Sequence, residues 1–283
     1  MINFKPDTVE SFEEYKCAVN RKNTSLEKEE LLGIEKVIET CYSDYQQKFA
    51  GNSLETLLPS VVALQHKKVL LGLYSSKALI IRNFRERCFA QNPQTYNNLC
   101  PYCTLNESGT TEHILPKEKY PEFAVDTLNL IPACSNCNEK KNEKIVDANG
   151  KKTTINFYLD QLPQSQYLFV DFTIIDSSIK ATYSLDNTRG LVESGMFSLI
   201  ERHFKQYDLL DRFNTKAIQE ISELKNLYAV EEFANEEEYA IFADKQLKKV
   251  NLDKASFGVN HWKVILYLSA ATSEVFKKYI LSL

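Results

Sequence analysis

Two Cys-x-x-Cys pairs, Cys100/Cys103 and Cys134/Cys137, bracket thirty residues of this chain and constrain its fold more than any other feature. One such pair arises by chance or in redox turns, whereas two separated by a few tens of residues form a zinc signature. Each pair can sit on a tight knuckle that aims two thiolates at one point, and two knuckles complete a tetrahedral shell. Four cysteine ligands leave no open position, so the expected Zn²⁺ is structural and contributes on the order of 10 kcal/mol to a short, loop-rich segment. Disulfides fit poorly with a chain that shows no secretory signal. A thioredoxin-like redox motif has no need of a second pair at this spacing.

The rest of the chain reads as a mainly helical scaffold. With 283 residues and 43% apolar side chains it can bury a sizeable core. The N-terminal MINFKPDTVESFEEYK lacks the apolar stretch of a signal peptide, and the longest apolar run, VILYLSAA, is too short to span a bilayer. The expectation is a soluble, cytoplasmic protein with no membrane partner. Cys17, Cys41 and Cys88 are scattered and read as reduced core residues. No internal repeat and no G-x-x-x-x-G-K-[ST] phosphate loop is present, so the chain does not hydrolyse ATP by a P-loop mechanism.

Residues 24–50 predict one helix, opened by a Thr24/Glu27 capping box and carrying Leu31, Ile34, Ile38, Cys41 and Tyr45 along one face. A second helical region covers about 54–90. Within it Lys67, Lys68, Lys77, Arg82, Arg85 and Arg87 face a single acid, Glu86, with Tyr74 and Phe84 interleaved. This stripe is either a backbone-tracking basic patch, with Arg82 and Arg85 as nucleic-acid contacts, or the solvated face of an amphipathic helix. Residues 167–175 and 179–185 predict a β-hairpin turned by Asp176-Ser177-Ser178. Helices then follow from Val192, with Phe213, Ala217, Ile218, Ile221, Leu224 and Tyr228 on one face, over about 235–250, and from His261 to the end. Glu236-Glu237-Glu238 reads as a helix start or solvated face, and His203 and His261 as structural.

Between the cysteine pairs lie Glu112-His113 and Asn129, and Asn138 follows the last cysteine at once. Together with the words EHILPK, NLIPAC and CNEKK, these residues make Cys100–Lys144 resemble the HNH, or ββα-metal, nuclease family. The family pattern is an acid or His followed by His at the end of a first strand, a central Asn, and a His or Asn at the start of a helix. Cys-x-x-Cys pairs hold the zinc-stapled members together. Two departures are Glu112, where Asp is commoner, and Asn138 in place of His.

That resemblance assigns roles the chemistry can use. His113, with an imidazole that titrates near neutrality, is suited to act as general base. Glu112 and Asn138 offer hard oxygen ligands to a catalytic Mg²⁺ or Mn²⁺. Asn129 holds the loop and orients His113. Lys141 and Lys144 are candidate nucleic-acid contacts, although an exposed helix lysine is an equal reading of Lys141. Asn142, one turn beyond Asn138, is either a competing ligand or a solvated polar residue. Adjacent strand residues point to opposite faces, so Glu112 and His113 can converge only where the strand ends or bends. Pro116 fits such an ending.

A net charge of −4 is not that of a protein that clings to nucleic acid unaided. Zinc-stapled HNH proteins of this size look similar to the nuclease subunit of Septu-type and retron-associated anti-phage defence systems. That resemblance implies an ATPase partner, with the C-terminal helices as a docking surface or simply as more of the core. The expected architecture is α+β. A helical region with a basic stripe spans 1–95, the zinc-stapled ββα unit 96–150, and a β-hairpin with C-terminal helices 151–283. The leading expectation is a metal-dependent endonuclease with DNA favoured. A ribonuclease acting on tRNA or other RNA and a non-catalytic zinc-bearing binding module are the alternatives.

Overall fold

A strand that ends where its two most reactive side chains begin sets the plan of the first half. The computed structural model describes residues 1–74, 79–92 and 98–283, so Lys77 and the 95/96 boundary lie outside the described residues. The chain divides into two compact units, Asn3–Gln161 and a second made of Met1–Ile2 with Leu162–Leu283. Residues 3–95 and 96–150 fall within the first of them.

In the first unit, helices α1 (Ser11–Asn20), α2 (Leu26–Gly33), α3 (Glu35–Ala50), α4 (Val61–Gln65), α5 (Lys67–Leu71) and α6 (Leu79–Ala90) precede a small β-ribbon. Strands β1 (Thr110–His113) and β2 (Leu130–Ala133) pair antiparallel, with Glu112 opposite Ile131 and His113 opposite Leu130. Helix α7 (Ser135–Lys141) follows directly. The expected helix over 24–50 is two helices, because Gly33 weakens the helix interior and the chain breaks at Ile34. Its cap is Ser25, whose hydroxyl accepts from the Lys28 amide, and not Thr24. The apolar face persists through the break: Leu31, Ile34, Ile38 and Tyr45 are buried, with Cys41 half-buried. The region 54–90 is likewise divided. Pro59 lies just before α4, and Gly72 caps α5. Cys88 is buried as expected, but Cys17 is exposed.

Aromatic rings join the helices to the ribbon. Phe123, in a 3₁₀ turn at Pro121–Phe123, packs on Tyr45 at 4.8 Å and Tyr42 at 5.9 Å between ring centroids, and Tyr42 on Tyr15 at 6.0 Å. Such pairs contribute about 0.5–1.5 kcal/mol each beyond the area they bury. The loop between β1 and β2 is therefore fastened to α1 and α3.

The second unit is built on the hairpin β3 (Leu168–Ile175) and β4 (Ser178–Leu185). Asp176 and Ser177, with φ of 48° and 60°, form the two-residue turn, so Ser178 belongs to the strand. Leu168, Val170, Phe172, Ala181 and Tyr183 point into a core with α8 (Ser194–Gln206), α9 (Leu209–Ala229), α10 (Glu236–Phe257), α11 (Trp262–Thr272) and α12 (Glu274–Ile280). Trp262 stacks on Phe213, and Phe172 packs on Phe276. The α9 face is as expected except for Ile218, which is 71% exposed. The helix from His261 is interrupted at Ser273, which caps α12. Glu236–Glu238 form the first turn of α10. Among the described residues, no helix is long and apolar enough to cross a membrane.

Candidate functional site

Cys100, Cys103, Cys134 and Cys137 are all buried, and their sulfurs lie within 4.8 Å of one another. Thiolates about 2.3 Å from a tetrahedral Zn²⁺ stand about 3.8 Å apart. Cys103 Sγ and Cys134 Sγ are 3.9 Å apart, near that spacing and far beyond a disulfide. Local backbone geometry builds both knuckles. The Thr104 amide donates to the Cys100 carbonyl, with Thr104 at φ 54°. Cys134 caps α7 by accepting from the Cys137 amide at 3.4 Å. The neighbouring Cys100 sulfur, followed by those of Cys103 and Cys137, holds the Cys134 thiol well below its ordinary range. Four convergent, buried sulfurs suit a structural zinc.

On the ribbon, β1 ends at His113. The His113 Nε2 lies 2.9 Å from the Ala124 carbonyl and must donate to it, which leaves Nδ1 as the acceptor nitrogen. Burial pushes this imidazole down to about 3, so it is neutral at physiological pH. Asn129 is fully buried. Its Oδ1 accepts from the Leu115 amide (2.7 Å) and the Tyr45 hydroxyl (3.2 Å), and its Nδ2 donates to the carbonyls of Leu115 (3.0 Å) and Phe123 (3.2 Å). One amide thus closes the loop that presents Ala124 to His113.

Buried in the same loop, Asp126 accepts from the Leu128 amide through Oδ1 (2.9 Å), while its Oδ2 has no partner. Burial raises its carboxyl to about 7 from an unfolded value of 3.8. The native state therefore binds the extra proton between these values. Stability is lost as pH rises through that window, by at most about 4 kcal/mol. Asn matches the protonated acid, so Asp126→Asn is expected to melt above wild type at pH 8, with the gap closing toward pH 4 in thermal unfolding.

Glu112 and Asn138 line, with His113 and Tyr74, a cleft of about 490 Å³. The Asn138 Nδ2 donates to Thr110 Oγ1 (3.1 Å) and to the Thr111 carbonyl (3.4 Å), so its Oδ1 is the oxygen left for a ligand. Asn142 lines the cleft too, exposed, with φ at 48°. A carboxylate and an amide oxygen are hard donors that fit Mg²⁺ or Mn²⁺. Two expected nucleic-acid contacts are engaged elsewhere. Lys141 is 2% exposed and donates to Glu112 Oε1 (3.1 Å) and the His113 carbonyl (2.6 Å). The Arg85 guanidinium is occupied by the carbonyls of Thr110 and Ser108. In the basic stripe, Arg87 pairs with Asp7 and Glu14, and Lys67 with Glu118. Arg82 and Lys144 are exposed.

Glu112-His113, Asn129 and Asn138 thus lie in order on a ribbon and helix fastened by the four cysteines. The family model described as HNH endonuclease matches residues 100–144. Residues 100–144 form an HNH endonuclease domain. Protein ea31 of Escherichia phage lambda is 24% identical over 189 residues, 62% of either chain. Septu protein PtuB of Bacillus thuringiensis is 46% identical over 50 residues, 16% of this chain and 20% of that protein. The chain thus spans less than two thirds of the length of these relatives. No solved structure matches it significantly.

The HNH domain leans on residues that sequence reasoning missed. Tyr74 packs edge-on against the His113 ring, centroids 4.6 Å apart, and donates to the Thr111 carbonyl. Tyr45 and the Ala124 carbonyl complete the setting of Asn129 and His113. No spacing rule identifies these contacts. The aromatic character of Tyr74 within a basic segment was the one available signal.

Proposed function

We propose that this protein is a metal-dependent HNH endonuclease that hydrolyses nucleic-acid phosphodiester bonds, with DNA as the favoured substrate. We further place it as the effector of an anti-phage defence system, working with an ATPase partner. The observation that carries the nuclease reading is the convergence of His113, Glu112 and Asn138 on one cleft within the HNH match. The imidazole is neutral, tethered through Nε2, and able to take a proton from an attacking water at Nδ1. Glu112 and Asn138 would hold the cation by their oxygens. When bound, it supplies positive charge to the scissile phosphate and the leaving oxygen. Asn129 and the Ala124 carbonyl keep the imidazole from turning.

The defence reading is supported by the 46% identity to PtuB over 50 residues. The partner reading is supported by charge. Exposed Glu139 and Glu143 line the cleft beside Lys117 and Glu118, which pair with each other, and the whole chain is net −4. Such a surface offers phosphates little net attraction, which fits substrate delivery on a basic surface supplied by another subunit. The test is incubation of plasmid DNA and of total tRNA with Mg²⁺ or Mn²⁺, with and without an ATPase encoded beside the gene. Plasmid cleavage is expected. Cleavage of tRNA alone would make the protein a ribonuclease, and no cleavage by folded, zinc-loaded protein under any condition would leave a binding module.

A further inference from the structure

Lys141 is 2% exposed. Lysine is almost never buried unless paired, and removing an ammonium from water costs several kcal/mol. What it touches must account for its position. It bridges the Glu112 side chain, at Oε1, and the His113 main-chain carbonyl. These neighbours sit at the end of β1. A regular strand sends adjacent side chains to opposite faces, yet both line the cleft. One ammonium therefore pins the strand end in the conformation the site needs.

We infer that Lys141 is a positioning residue for the catalytic cation: it occupies one oxygen of Glu112, leaves the other as a one-oxygen ligand, and does not contact nucleic acid. The inference rests on the metal-nuclease reading above. It carries a consequence for metal choice. Ca²⁺ takes six to eight oxygens and often binds carboxylates through both, whereas Mg²⁺ demands a compact octahedral set with one oxygen per ligand. With Oε1 bonded to an ammonium, two-oxygen binding by Glu112 would bring the cation against that positive charge, and the site disfavours Ca²⁺.

The test uses the full zinc-loaded chain without nucleic acid, titrated with Mn²⁺ and separately with Ca²⁺ by calorimetry. Lys141→Met is expected to weaken Mn²⁺ binding by about 10- to 100-fold, as loss of a ligand's supporting partner commonly does, and to narrow the preference for Mn²⁺ over Ca²⁺. Because Lys141→Met strands a buried carboxylate, Glu112→Gln is compared with Glu112→Gln/Lys141→Met, which leaves no charge unpaired. If Lys141 acts through Glu112, the double variant binds Mn²⁺ no more weakly than Glu112→Gln, whose stranded ammonium repels the cation. A double variant about tenfold weaker than Glu112→Gln overturns the inference. So does a folded Lys141→Met protein with wild-type Mn²⁺ affinity and a raised KM for nucleic acid, the signature of a phosphate contact. Wild-type protein that binds no Mn²⁺ overturns the metal-nuclease reading itself, and the role of Lys141 with it.

Discussion

His113→Ala is expected to lower the cleavage rate by about 10²–10⁴-fold, the usual contribution of a positioned acid–base group. Zinc content should not change, because the cysteine shell is separate from the imidazole. Two contacts are lost besides the base, the hydrogen bond to Ala124 and the ring contact with Tyr74, so a melting shift equivalent to about 1–3 kcal/mol accompanies the loss of activity. Single-turnover cleavage on a preformed substrate complex separates the two effects, since a partly destabilised but folded enzyme keeps its chemical rate. The pH profile adds a second check. An ordinary imidazole would lose its base function below about 6.5, whereas burial holds His113 at about 3. The acid limb of the chemical step is therefore not expected near 6.5. A limb there that persists in Asp126→Asn would assign the base to a group other than the buried imidazole, and full activity in His113→Ala would remove His113 from the mechanism.

Loss of the structural zinc has a larger expected consequence for the fold. Cys134 is both a member of the cysteine shell and the cap of α7. Helix α7 carries Asn138 and Lys141, so one substitution, Cys134→Ser, loosens the shell and the helix that lines the cleft. Structural zinc sites carry apparent binding energies of about 10–16 kcal/mol, comparable to the whole stability of a domain. Cys134→Ser is expected to purify with zinc well below one per chain and to lose cooperative melting of the segment around residues 100–144. The two metals can be told apart in one titration. Omitting Mg²⁺ and Mn²⁺ should stop cleavage with the melt unchanged, and a strong zinc chelator should abolish the melt as well. A Cys134→Ser protein with full zinc and a wild-type melt would refute the four-thiolate site.

The contrast between what spacing encodes and what tertiary contact decides runs through the molecule. The cysteine pairs were legible because two knuckles a fixed distance apart have few other uses. Glu112-His113, Asn129 and Asn138 were legible as an ordered set because their elements are consecutive and short. The hairpin was legible from alternation and a turn of Asp and Ser. What was not legible depends on burial. Lys141 reads as an ordinary helix lysine until Glu112 is seen beside it, and Arg85 as a free cation until the carbonyls of Ser108 and Thr110 come within reach. Gly33 divides a helix whose apolar face continues unbroken, so periodicity alone hides the break. Ile218 fits the α9 pattern and is nevertheless exposed, because the face of a helix that finds a neighbour is narrower than the face its sequence offers.

The ring cluster of Tyr15, Tyr42, Tyr45 and Phe123 bears on inheritance. The HNH match covers residues 100–144, but the rigidity of its base is borrowed from the upstream helices α1 and α3. A recombination event that moved residues 100–144 alone into another chain would carry the metal and the reactive groups and leave behind the Tyr45 hydroxyl on Asn129 and the Tyr74 ring on His113. The transplanted cassette would fold around zinc with a loosely aimed imidazole. A chain that received such a cassette would need either the upstream segments with it or new supports for the imidazole and the central amide.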